Sequence, residues 1–82
     1  MYKIFLLPQT QKDLDNFRGK AFQQIKNRIY SLKEDPRPPG CLKLTAEEGY
    51  RLRSGNYRII YRINDKERKV YIYRIKHRKE AY

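Results

Sequence analysis

The chain has 82 residues and a formal net charge of +11, with 20 Lys and Arg against 9 Asp and Glu. That length holds a single small domain, here residues 1–82, with one modest core. That charge calls for a polyanionic partner: nucleic acid, a membrane surface or an acidic protein.

One cysteine, Cys41, excludes an internal disulfide framework and a cysteine-based zinc site. It reads as a small, partly buried residue beside Leu42. No stretch is long and apolar enough to cross a membrane, and Met1 to Pro8 is too short for a signal peptide. The expected location is the cytoplasm, with no membrane partner. There is no glycine-rich phosphate loop. Neither a metal nor a small-molecule cofactor is expected.

In chain order, Tyr2 to Leu6 reads as a first strand ended by Pro8. Thr10 looks like a helix N-cap, with Asp13 three residues on in an approximate capping box. Leu14 and Phe17 face inward from the short helix that follows, and Gly19 closes it. A second helix is predicted from about Lys20 to Glu34. Its Phe22, Ile25, Ile29 and Leu32 recur at spacings of 3, 4 and 3, which is one apolar stripe and reads as core. Asp35-Pro36-Arg37-Pro38-Pro39-Gly40 breaks the helix and makes a stiff loop. Leu42 to Leu44 is a short strand or an anchor. Strands follow at Tyr50–Arg53, Tyr57–Ile63 and Val70–Ile75, with Ser54-Gly55-Asn56 and Asn64-Asp65-Lys66-Glu67 as hairpin turns. The tail from Lys76 to Tyr82 reads as a turn of helix. The order β-α-α-β-β-β predicts an α+β domain: an antiparallel sheet with two helices on one face and a short C-terminal tail.

The charge is concentrated at the C-terminal end. Residues 50–82 carry 11 Lys and Arg against 3 acids, with six of the eight tyrosines. Because a strand sends alternate side chains to opposite faces, Arg51 and Arg53 share one face, as do Arg58 and Arg62. Leu52, Ile59, Tyr61 and Ile63 take the other. One greasy face and one row of guanidinium groups suit a polyanion, and RNA leads. Arg74 and Lys76 join Arg51, Arg53 and Arg62 as candidate RNA-binding cations. Tyr57, Tyr61, Tyr71 and Tyr73 read as sheet packing, and Lys66, Arg68 and Lys69 as solvated turn surface.

Metal-free RNA cleavage uses the substrate's 2′-hydroxyl as nucleophile on the adjacent phosphate. It needs a base for that hydroxyl, cations for the developing phosphoryl charge, and an acid for the 5′-oxygen. The chain has a single histidine, His77, besides Arg, Lys and Tyr. Arginine grips phosphate bidentately but is a poor proton donor. Such an enzyme is slow alone and needs its substrate positioned by something large.

Three segments carry a family resemblance: Tyr50-Arg51-Leu52-Arg53, Gly55-Asn56-Tyr57-Arg58-Ile59-Ile60-Tyr61 and His77-Arg78-Lys79-Glu80-Ala81-Tyr82. Together they resemble the RelE/ParE toxin superfamily, and its RelE branch in particular. The resemblance implies a toxin that cleaves mRNA in the ribosomal A site, with the 70S ribosome, mRNA and a cognate antitoxin as partners. It implies that Arg58 clamps the phosphate, that His77 or Arg78 serves the leaving group, and that Tyr82 stacks on the nucleotide or acts as base. The antitoxin is expected to cover the basic face or displace the tail at Lys76–Tyr82. Two alternatives stand beside this: a ParE-like poison of DNA gyrase, and a non-catalytic RNA-binding or ribosome-associated module.

Overall fold

The computed structural model describes residues 1–77. The elements are β1 (Lys3–Leu6), α1 (Pro8–Asp15), α2 (Gly19–Ser31), β2 (Leu42–Lys43), β3 (Tyr50–Ser54), β4 (Tyr57–Asn64) and β5 (Lys69–His77). The five strands form one sheet in the order β1-β5-β4-β3-β2. Both helices pack on one of its faces, as the α+β reading expects. The core lies between them. Leu14, Ile25, Ile29 and Leu32 meet Leu52, Ile59, Tyr61, Val70, Ile72 and Ile75. Burying these side chains is the main stabilising term.

Three differences from the expected fold have physical causes. The sheet is mixed, because β1 runs parallel to β5 in the register Lys3↔Lys69 to Leu6↔Ile72. The helix pair supplies the crossover that a parallel partner requires. The first helix starts at Pro8, where a missing N–H costs nothing. Thr10 and Asp13 therefore lie inside α1 and do not cap it. They face β5 instead. The Thr10 hydroxyl donates to the Ile72 carbonyl at 2.6 Å, and the Asp13 carboxylate accepts the Ile75 N–H at 2.9 Å. Among the described residues no strand lies beside β5 on this edge past Leu6, and α1 takes up the open edge. Finally, Lys76 and His77 are strand and not helix, because β5 runs to His77.

Candidate nucleic-acid interface

The face of the sheet away from the helices is built by strand alternation. On β3, Leu52 and Ser54 are buried toward the helices, so Arg51 and Arg53 project the other way. A two-residue turn follows, with Gly55 at φ +59, a left-handed conformation that glycine adopts freely. On β4, Ile59 and Tyr61 point into the core, which turns Arg58 and Arg62 outward.

The pairing register then aligns three cations. Arg53 lies opposite Arg58 on the neighbouring strand, and Arg58 opposite Lys76 on the next. Directly opposed side chains approach to roughly 5 Å at Cβ, and like charges so placed destabilise a sheet. The register thus gathers three cations on one face of the sheet. Arg58 sits in its middle and is only 3 % exposed, so it is not the solvated strand residue that an open basic face suggests.

Arg51 and Arg53 also line a hollow of about 360 Å³ with Arg28, Gly40 and Leu42. The Arg28 guanidinium reaches the free edge of β3 and donates to the Arg53 carbonyl at 3.3 Å. Arg28 is the cation that sequence reasoning missed. On α2 it reads as one more solvent-facing base, and only the seating of α2 against β3 brings it to the row.

The other candidate residues are dispersed. Arg62 is four residues from Arg58, roughly 13 Å along the strand, and lies over the Tyr73 ring at 5.3 Å. Arg74 turns to α1, where its Nε donates to Asp13 at 3.2 Å. His77 pairs in register with Tyr57, and their rings meet edge to face at 5.1 Å. Tyr57 in turn contacts Phe17, from the α1–α2 junction, at 4.6 Å. His77 thus lies on the helix side of the sheet, across the backbone from Arg58. Arg78 and Tyr82 fall outside the described residues. Among the described residues, no group of three or more His, Cys, Asp and Glu side chains is gathered to hold a metal.

At the opposite end of the sheet, charge is neutralised. Arg37 donates to both carboxylate oxygens of Asp65 at 3.1 and 2.9 Å, and its Nε donates to the Tyr50 hydroxyl. Tyr2 donates to the same carboxylate at 2.8 Å. These two donors, Arg37 foremost, hold the Asp65 carboxyl down at about 2. Beneath them, the Tyr61 hydroxyl donates to the Pro36 carbonyl at 2.7 Å, and burial pushes its pKa well up. The proline-rich loop is thereby latched to the β4–β5 turn.

Comparison with known proteins gives a consistent picture. Residues 4–82 match the family model described as the ParE toxin of type II toxin–antitoxin systems, parDE. The archaeal RelE–RelB complex from Pyrococcus horikoshii OT3 contains a chain 26% identical to this one. The match covers 94% of each chain with a TM-score of 0.80. The RelBE2 toxin–antitoxin complex from Mycobacterium tuberculosis is also 26% identical, covering 94% of this chain and 98% of that one with a TM-score of 0.82. The RelB–RelE complex from Methanococcus jannaschii gives 26% identity, 94% and 93% coverage and a TM-score of 0.73. None of the curated proteins matches.

Proposed function

This chain belongs to the RelE/ParE superfamily of toxins of type II toxin–antitoxin systems, and from that premise we propose that it is a ribosome-dependent endoribonuclease that cleaves mRNA in the A site. The observation that carries the reading is the aligned row Arg53, Arg58 and Lys76 across three adjacent strands. Cations held at one phosphate are what a cleavage without metal requires, because charge on the phosphoryl oxygens grows toward the transition state.

In the proposed reaction the 2′-hydroxyl gives its proton to solvent water, its oxygen bonds to phosphorus as the bond from phosphorus to the 5′-oxygen breaks, and the departing 5′-oxygen takes up a proton. The products are a 2′,3′-cyclic phosphate and a 5′-hydroxyl. Arg58 clamps the phosphoryl oxygens with its planar fork. Arg51, Arg53 and Arg28 hold the flanking backbone. Positioning by the ribosome supplies the orientation that a small open face lacks.

A cognate antitoxin is the second partner. The Pyrococcus, Mycobacterium and Methanococcus relatives are toxins in complex with antitoxins, and a basic face of this kind is silenced by an acidic or amphipathic segment laid over it. A complex that leaves both the row and the Lys76–Tyr82 segment uncovered would contradict this.

The match to the ParE family model favours a second reading, poisoning of DNA gyrase. Parallel assays separate the two. A ribonuclease releases RNA fragments ending in 2′,3′-cyclic phosphate from translating ribosomes and leaves gyrase supercoiling intact. A ParE-type toxin does the reverse.

A further inference from the structure

Strict alternation from Val70 and Ile72, both buried, would carry Arg74 and Lys76 inward and turn Ile75 and His77 outward, beside Arg58. The structure does the opposite. Tyr61 pairs with Ile72 but Ile60 pairs with Arg74, so Tyr73 is an extra residue in β5. This β-bulge inverts the phase of the strand. Ile75 is buried in the core, Lys76 faces out opposite Arg58, and His77 lies with Tyr57 on the helix side.

The bulge is held from α1. Asp13, 8 % exposed, uses one carboxylate oxygen to accept the Ile75 N–H at 2.9 Å and the Arg74 Nε–H at 3.2 Å. Its other oxygen accepts from Gln9 at 3.1 Å. Just before the bulge, the Ile72 carbonyl accepts from Thr10 and from the Leu7 N–H. Both sides of the irregularity are therefore tied to one helix. A buried carboxylate spent on a backbone N–H and on the arginine beside it fixes where the strand changes face.

We propose that Lys76 is a catalytic residue that protonates the departing 5′-oxygen, and that Asp13 is the positioning residue that keeps Lys76, rather than His77, on the face of Arg58. The inference rests on the cleavage reading. As phosphorus leaves the 5′-oxygen, a proton passes from the Lys76 ammonium to that oxygen, and the neutral amine regains one from water. An ammonium is a stronger acid than a guanidinium, so the row divides its labour. Arg58 stabilises charge and Lys76 delivers the proton.

The test compares mRNA with an ordinary scissile linkage against mRNA with sulfur in place of the bridging 5′-oxygen, both in programmed ribosomes. A thiolate leaves without protonation. Lys76→Ala is expected to lose about 10²- to 10⁴-fold in single-turnover rate on the oxygen linkage and to stay within a few-fold of wild type on the sulfur linkage. His77→Ala is expected to stay within a few-fold on both. Asp13→Asn, checked for folding by circular dichroism, should show the same sulfur-rescued loss and add little to it in a Lys76→Ala background. Equal loss on both linkages for Lys76→Ala, or a sulfur-rescued loss for His77→Ala, overturns the inference alone. An additive, unrescued effect of Asp13→Asn overturns its positioning role. A folded wild type that cuts neither substrate overturns the cleavage reading and this inference with it.

Discussion

The two ends of the sheet use arginine in opposite ways. At the end formed by the β4–β5 turn, Arg37 is matched to an acid within the chain, stacks on Tyr50, and fastens a loop. At the other end, Arg53, Arg58 and Lys76 stand in a like-charge row. The first arrangement is complete in itself and adds to stability. The second sets like charges side by side on adjacent strands, an arrangement that suits the phosphates of the proposed substrate. The contrast is between an arginine fastened to a neighbouring acid and an arginine set among other cations.

Substitutions should break this contrast cleanly. Arg58→Ala is expected to lower the single-turnover cleavage rate by about 10²- to 10³-fold while changing ribosome affinity only a few-fold, whereas Arg37→Ala should leave the rate nearly unchanged and weaken folding. A matched fall in rate and affinity for Arg58→Ala would make it an ordinary phosphate contact. Tyr61→Phe strips the buried hydroxyl from the Pro36 carbonyl and should cost about 1–2 kcal/mol in urea denaturation, with cleavage intact in the folded fraction. Binding to naked RNA should weaken with salt. Arg51→Ala or Arg53→Ala should each reduce the slope of log K against log salt by about 0.7, and a slope indifferent to both would place the RNA elsewhere.

The smallest expected effect is one of pH. The Asp65 carboxyl sits at about 2 in the folded chain, below its ordinary 3.8. As pH falls, the unfolded chain takes up this proton first, which drains stability from the fold. The contribution is whole above about pH 4 and is lost as pH drops toward 2. Asp65→Asn should flatten the stability profile in that window. Superimposable profiles for variant and wild type would show that the latch adds nothing.

Much of this was legible in the chain. The apolar stripe of α2, the hairpin turn at Gly55 and the outward phase of Arg51, Arg53 and Arg58 follow from periods of 3.6 and 2 alone. What escaped had tertiary causes. Thr10 and Asp13 have the spacing of a capping box, but Pro8 starts the helix one turn early and frees them for β5. The bulge at Tyr73 leaves no mark that periodicity can read, because Arg74 through His77 alternate plausibly in either phase. It is this single inserted residue that separates His77 from Arg58 and substitutes Lys76. The pairing of β1 with β5 depends on strands more than sixty residues apart, beyond the reach of local pattern. The burial of Arg58 was hidden too, since alternation gives the face of a residue and not what walls it in.

The most direct test of the account is primer extension on mRNA in programmed ribosomes, with wild type, Arg58→Ala and a naked-RNA control. Cuts in phase with codons that require the ribosome and disappear in Arg58→Ala are predicted. Absence of cuts with correctly folded wild-type protein, together with loss of gyrase supercoiling, would contradict the account and make this chain a gyrase poison.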